Sequence, residues 1–312
     1  MDPLVLLMQR FHHTQFADAR RLAELKSAAG QSVSVCIPTL NEAETIAAIV
    51  TTIRRELIES VPLVDEILVI DSGSTDGTRE QARQAGATVF LSSEIAPETG
   101  SHCGKGENLW KALHAARGST ICYLDGDICN FHAGFVTGLL GPLLTNPDID
   151  YVKAYYERPL ALGDATHSNG GGRVSEILVR PMISLFYPEL AGILQPLSGE
   201  YAARRALLES LPFPTGYGVE IAHLIDLARA GMLGRIAQTD LVKRIHRNRD
   251  NDDLGDTAFA ILRVIFRRLE RDGKLTLSST LTEIHQRWSV DEARVEPITK
   301  NIPEPERPPL RG

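Results

Sequence analysis

The sequence predicts an α/β fold, a doubly wound and mostly parallel sheet with helices on both faces. Three observations carry that expectation. Short apolar strand-like runs alternate with helical runs through about residue 125. The strand-like runs end in polar, turn-rich clusters, which is where sheets of this kind bind ligands. No period of 20–50 residues repeats, which excludes solenoids and propellers.

The elements follow in order. Pro3 to Ala29 has apolar residues at mixed helical spacing and reads as one or two leading helices, broken at Gly30 and Gln31. Ser32 to Ile37 (SVSVCI) is a short buried strand that Pro38 should stop. Glu42 to Ser60 is an amphipathic helix with Ile46, Ile49, Val50 and Ile53 on one stripe. Asp65 to Asp71 (DEILVID) is the second strand and runs into Ser72-Gly73-Ser74-Thr75-Asp76-Gly77, where Thr75 or Asp76 caps a helix reaching about Ala85. Thr88 to Leu91 is the third strand, Gly106 to Arg117 a helix, and Thr120 to Leu124 (TICYL) the fourth strand.

After about residue 150 the rhythm changes. Asp150 to Tyr156 reads as a strand, and Asp164 to Gly172 (DATHSNGGG) as a Gly-rich loop before a helix that begins near Arg173. Leu207 to Tyr217 is loop-rich, Val219 to Arg229 helical, Arg235 to His246 extended, and Thr257 to Arg271 an amphipathic helix. Pro297 to Gly312 is rich in proline and charge and reads as a mobile tail.

Composition narrows the function. At 312 residues the chain can bury a substantial core without disulfides, and 43% hydrophobic with 23% charged residues excludes disorder for most of it. Lys plus Arg number 33 against 40 for Asp plus Glu, a formal charge of −7, which argues against a nucleic-acid binder needing a broad cationic face. Cys36, Cys103, Cys122 and Cys129 form no CxxC pair and no zinc spacing, so free thiols in a reducing cytoplasm are expected. The apolar run Leu4 to Met8 is far below the roughly 18 residues of a membrane span.

The polar residues that follow the strands are the first suspects for chemistry. Asp125-Gly126-Asp127 closes the fourth strand: two carboxylates one residue apart can aim hard oxygens at one cation, although a turn with solvated acids has the same letters. Pro38-Thr39-Leu40-Asn41-Glu42 follows the first strand and lacks the Gly-rich loop of a dinucleotide binder. It suits a nucleoside base and ribose, or marks a helix start with Asn41 as cap and Glu44 three residues into the helix.

PTLNE, VIDSGSTDGT and YLDGD, in that order, resemble the GT-A nucleotide-sugar glycosyltransferases over about residues 32–130. GGGRVSEILVRP (Gly170 to Pro181), QPLSGEYAARR (Gln195 to Arg205), GYGVEIAHLID (Gly216 to Asp226) and RIHRNR (Arg244 to Arg249) extend the likeness to the glucosyl-3-phosphoglycerate synthases, up to about residue 275. The mannosyl-3-phosphoglycerate synthases share much of this pattern.

The resemblance implies a GT-A fold, Rossmann-like, with an N-terminal helical segment (1–30), a nucleotide-sugar-binding core (31–150), an acceptor-binding region (151–275) and a C-terminal extension with the mobile tail (276–312). It implies transfer of glucose from UDP-glucose to the 2-hydroxyl of 3-phosphoglycerate with retained configuration. GDP-mannose is the alternative donor. By the same resemblance Pro38, Thr39, Leu40, Glu42 and Ser72 hold the uridine, with Asp71 beside them. Lys105 contacts the donor, Asp125 lies at the nucleoside and metal, and Leu197, Gly199 and Glu220 lie at the sugar. Asp127 and His246 ligate a divalent metal, Mg²⁺ or Mn²⁺. Gly171, Gly172, Arg173, Ser175, Arg244 and Asn248 line the acceptor pocket. Asp127, Lys105 and Glu220 are the expected catalytic group, and the relatives' dimeric state implies a homodimer.

Several of these residues also have plain readings. Glu220 complements a helix dipole in any first turn, and Lys243, Arg244, Arg247 and Arg249 form a basic strand end. Gly171 to Ser175 is a helix start suited to anions, with Arg173 offering a bidentate fork. A polyprenyl-phosphate transferase at a membrane surface would need a basic amphipathic or apolar C-terminal segment, and PEPERPPLRG is neither. A non-catalytic sugar-nucleotide sensor would have no use for Asp125, Asp127, His246 and Arg173 together.

Overall fold

A computed structural model of the chain describes residues 9–158, 160–162, 165–167, 172–245, 251–291 and 294–311. The first half alternates as the spacing predicts: β1 (Arg10–His12), α1 (Ala19–Ala28), β2 (Val33–Thr39), α2 (Ile46–Arg54), β3 (Glu66–Asp71), α3 (Thr78–Ala85), β4 (Thr88–Leu91), α4 (Lys105–Ala115), β5 (Thr120–Tyr123) and α5 (Gly134–Thr145). The second half holds β6 (Tyr151–Glu157), the short hairpin β7 (Leu160–Leu162) and β8 (Ala165–His167), α6 (Arg180–Phe186), β9 (Tyr201–Arg204) and β10 (Phe213–Pro214). It continues with α7 (Val219–Arg229), β11 (Ile236–Lys243), α8 (Asn251–Arg271), the ribbon β12 (Ile284–Asp291) and β13 (Arg294–Asn301), and β14 (Glu306–Arg307).

Among the described residues an eight-stranded sheet has the order β1-β11-β6-β9-β5-β2-β3-β4. Its strands pair in parallel except β9, which runs antiparallel to both β5 and β6. One apolar layer packs α1, α2 and α5 on one face, and a second packs α4, α6, α7 and α8 on the other. The predicted stripe of Ile46, Ile49, Val50 and Ile53 is fully buried, each side chain contributing roughly 1.5–3 kcal/mol.

Three expectations are corrected. The N-terminal segment is not all helix: residues 10–12 form the sheet-edge strand β1 beside Gln238 to Asp240, a run too short to leave a periodic signal. Nor does Pro38 stop its strand, because β2 continues to Thr39. Cys36 C=O accepts from Leu124 N, on the β5 side, and Thr39 C=O accepts from Ser72 N, on the β3 side. Pro38 therefore turns its nitrogen toward β5, whose pairing with β2 has ended at Cys36, and no ladder bond is lost.

The third correction concerns the tail. Within Pro297–Gly312, residues 302–311 form an ordered strap. β14 pairs with β10, Thr215 N donates to Pro305 O at 2.9 Å, and Trp110 Nε1 donates to Pro308 O at 3.0 Å. Arg267 Nη2 donates to Pro303 O at 2.8 Å. The prolines lack N–H groups but serve through their carbonyls, and the charged residues meet buried partners, so composition alone misleads here.

Candidate active site

The carboxyl ends of β2, β3 and β5 open into a cleft of about 340 Å³. Pro38, Thr39, Leu40, Glu42 and Ser72 form one wall. Asp71 does not line it. Its carboxylate is fully buried and accepts from Thr39 Oγ1 at 2.9 Å, Gly73 N at 2.9 Å, Ser74 N at 2.8 Å and Ser74 Oγ at 2.5 Å. Asp71 therefore fixes the loop that presents Ser72. Asn41 does not cap α2: at φ 60° it accepts from Thr75 N through Oδ1 and donates its own N–H to Ser74 Oγ, joining the two loops.

Lys105 opens α4 opposite this wall. Its Nζ lies 2.6 Å from Asp125 Oδ1 and 2.8 Å from Glu220 Oε1. Burial alone would depress the ammonium, but Asp125 and Glu220 outweigh it and hold the pKa well above that of a free lysine. Asn108, one turn on, donates to Ser72 Oγ at 2.8 Å and Ile70 O at 2.9 Å, tying α4 to β3.

Two glycines permit this convergence. A Cβ on Gly106 would strike Pro214 O, where Gly106 N donates to Gly216 O and Glu107 N to Thr215 O. These bonds lock the first turn of α4, which carries Lys105, to the loop that leads into α7 and Glu220. A Cβ on Gly199 would strike Lys105 Nζ and both oxygens of Asp125.

Asp127 sits beside Asp125, its side chain 18% exposed into the cleft. Arg244 Nη2 donates to Asp125 Oδ2 at 2.9 Å and to Asp127 Oδ1 at 2.6 Å. Asp127 Oδ2 takes no hydrogen bond among the described residues, which leaves a hard oxygen facing the cleft. That donor chemistry fits Mg²⁺ or Mn²⁺, which commonly take one or two carboxylates and complete their shell with ligand oxygens and water. Among the described residues no three His, Cys, Asp or Glu side chains converge as a metal set. His246, Asn248 and Gly171 lie outside the described residues, as does most of the Asp164–Gly172 loop.

Gly172, Arg173 and Ser175 form the far wall, at the start of helical turns that run from residue 173 into α6. Gly172 holds φ +78°, a left-handed conformation that favours glycine. Leu197 also lines the cleft. The cleft thus brings together the predicted donor and acceptor residues that are described, except that Asp71 lies beneath it and Gly199 packs against Lys105 and Asp125 without lining it. Arg244, expected at the acceptor, lines the cleft too and is also engaged by the two aspartates.

Sequence reasoning missed Asn108, Arg158, Tyr217 and Thr257, which also line the cleft, and Glu200, which lies behind it. Asn108 was findable, being on the same face of α4 as Lys105. Thr257 and its neighbours arrive through α8, which no local pattern links to the site.

The sequence model of glycosyl transferase family 2 matches residues 34–207. The chain is 48% identical to the glucosyl-3-phosphoglycerate synthase of Petrotoga mobilis over 305 residues, 98% of this chain and 94% of that protein. Among solved structures, mannosyl-3-phosphoglycerate synthase from Rubrobacter xylanophilus superposes with a TM-score of 0.90 at 36% identity, covering 98% of this chain and 97% of that one. Glucosyl-3-phosphoglycerate synthase from Mycobacterium tuberculosis, solved with Mn²⁺, UDP and phosphoglyceric acid, superposes with a TM-score of 0.81 at 38% identity over 93% of this chain and 94% of that one. The fold is GT-A, and the chain belongs to the glucosyl-3-phosphoglycerate synthase family within glycosyl transferase family 2.

Proposed function

We propose that the protein transfers glucose from UDP-glucose to the 2-hydroxyl of 3-phosphoglycerate, with the anomeric configuration retained. One observation carries the reading: a single cleft is lined by the Pro38–Glu42 and Ser72 group, by the helix start at Gly172, Arg173 and Ser175, and by Lys105, Asp125 and Asp127. Pro38 to Glu42 and Ser72 would seat the uridine. Lys105 would stand over the diphosphate, its charge held in place by Asp125 and Glu220. Glu220, 3% exposed, would read sugar hydroxyls from its fixed position. Arg173, Ser175 and the backbone at Gly172 would grip the acceptor's phosphate and carboxylate.

A divalent cation, held by Asp127 with His246 as the second proposed ligand, would supply charge neutralisation to the leaving diphosphate. Of the cleft carboxylates, Asp125, Asp127 and Glu220 are engaged in ion pairs and Glu42 is assigned to the uridine, which disfavours a covalent glycosyl-enzyme. In the same-face substitution, the bond from the sugar's anomeric carbon to the diphosphate oxygen breaks as the bond to the acceptor's 2-oxygen forms. The acceptor proton passes to the departing diphosphate. Alignment and charge placement by Lys105 and Arg173 would provide most of the acceleration.

The division of labour follows, with residues 31–150 for the donor and 151–275 chiefly for the acceptor. A cytoplasmic setting suits these substrates and the free thiols at Cys36, Cys103, Cys122 and Cys129. Among the described residues no helix is long and apolar enough to cross a membrane. A homodimer belongs to the same reading; Trp288 and Val295, 61% and 63% exposed on the β12–β13 ribbon, are apolar surface of the kind a second copy would cover.

A second reading, mannosyl transfer from GDP-mannose, draws on the likeness to the Rubrobacter enzyme. Glucose and mannose differ at one hydroxyl, so the decision belongs to product analysis. Purified protein with 3-phosphoglycerate, Mg²⁺ or Mn²⁺ and each donor separately should yield glucosyl-3-phosphoglycerate from UDP-glucose by NMR. Product from GDP-mannose alone would reassign the sugar, and no product from any donor would end the transferase reading.

A further inference from the structure

Arg244 follows β11, lines the cleft and is 3% exposed. An arginine beside two carboxylates ordinarily closes on one of them with a two-nitrogen fork. Here the contacts divide differently. Nη2 alone donates to Asp125 Oδ2 and Asp127 Oδ1, while Nε lies 2.8 Å from Glu200 Oε1 as an ion pair outside hydrogen-bond geometry.

Glu200, immediately before β9, is fully buried. Its other oxygen, Oε2, accepts from the hydroxyl of Tyr156 on β6, and that hydroxyl receives Arg158 Nη2 at 3.1 Å. The Arg244 guanidinium also lies 5.8 Å from the centroid of the Tyr156 ring. Burial pushes the Glu200 carboxyl up, with Arg244 pulling against it. A buried carboxylate is costly, so it needs a role. Glu200 is not among the residues lining the cleft, and contact with substrate is therefore not that role.

We propose that Glu200 is a positioning residue: it holds the Nε edge of Arg244, so the guanidinium cannot close as a fork on Asp127, and Asp127 Oδ2 stays open toward the divalent cation. Glu200 then acts on the metal site through Arg244, as outer-shell partners of ligands do in general. Tyr156 fixes Glu200 in turn, which explains a buried hydroxyl aimed at a buried carboxylate. The β9 strand, antiparallel in a parallel sheet, is what brings Glu200 between β5 and β6.

The inference rests on the transferase reading through its metal, and the test separates the two. Mn²⁺ is titrated into the full chain with UDP present, with free Mn²⁺ read by EPR, for wild type, Glu200→Gln and Glu200→Asp; circular dichroism reports folding. Both variants should bind Mn²⁺ about tenfold more weakly, the Asp variant included, because it restores the charge but not the reach. The kcat lost at low Mn²⁺ should recover at high Mn²⁺, as a merely structural lesion would not. Full rescue by Asp would assign the effect to charge alone and overturn the positioning role, as would unchanged affinity in both variants. Should either variant fail to fold, Tyr156→Phe replaces it, with weaker Mn²⁺ binding expected and unchanged binding overturning the proposal. Wild-type protein that binds no Mn²⁺ would fail the metal reading itself, and this inference with it.

Discussion

Glu107 and Arg307 lie 200 residues apart in sequence and meet as a two-bond ion pair, Nε to Oε2 at 2.8 Å and Nη2 to Oε1 at 2.7 Å. Glu107 is fully buried and Arg307 is 7% exposed. Arg307 also donates to Thr99 O and Gly100 O, so one side chain holds the loop that precedes Lys105. Removing it leaves the buried carboxylate with only His102 N and the more distant Lys111 Nζ, 4.0 Å from Oε1. Arg307→Met should cost about 3–5 kcal/mol in urea unfolding, and Glu107→Gln with Arg307→Met should recover much of that loss. The single variant should also raise the donor KM, since the Lys105 loop loses its anchor.

Gly199→Ala is a sharper probe of the same constellation. The new methyl would enter the space held by Lys105 Nζ and the Asp125 carboxylate. Displacing the lysine should lower kcat/KM by about 10²–10³, the usual size for losing one preorganised charge donor, while the melting temperature changes little. An unaltered kcat/KM would show that Lys105 can move without consequence.

Arg173→Ala should separate the two substrates. If the helix start at residue 173 grips the acceptor, the 3-phosphoglycerate KM rises at least about tenfold and the UDP-glucose KM stays near wild type. Steady-state kinetics with each substrate varied in turn decides it, and an equal rise in both would place Arg173 elsewhere.

Acid stability offers a separate check on the core behind the site. His223 on α7 is fully buried, edge-on to Phe213, and burial first, then Arg268 and Lys153, push its pKa down to about 3 from 6.5. Between those values the unfolded chain takes up a proton that the folded chain refuses. Stability is therefore unaffected by this group above pH 6.5 and falls as the pH drops below it, by on the order of 3 kcal/mol at pH 4. His223→Leu should flatten that part of the profile in urea titrations at stepped pH. A slope identical to wild type would show that other groups cause the acid limb.

What the sequence discloses follows the range of the interactions. The stripe at Ile46, Ile49, Val50 and Ile53 and the alternation through β5 are local, and both are readable. The motif residues at the ends of β2, β3 and β5 are readable for the same reason, because the doubly wound topology carries strand ends to one edge. Asp71 shows the limit: its place in the motif is plain, but its burial beneath Ser72 depends on four donors, one at the end of β2 and three in the loop after β3. Arg244 and Glu200 are further from view. Each is one charged letter in a short run, and only the antiparallel insertion of β9, four residues long, makes them partners. The strap failed for a different reason, since proline and charge describe a solvated tail equally well until the buried partners Glu107 and Trp110 are known.

That strap bears on how the protein comes into being on the ribosome. Synthesis proceeds from the N-terminus, so Glu107 is made long before Arg307 can reach it. Until then the nascent chain carries a carboxylate without its two-bond partner, Lys111 alone lying near it, and a loop before Lys105 without its anchor. The donor side of the cleft is therefore finished late, after the parallel sheet around it has had time to form. Chains that stop short of residue 307 would carry the motifs of a transferase without its assembled site, and the loss of the Arg307 fork on Glu107 would make them easier to unfold and clear.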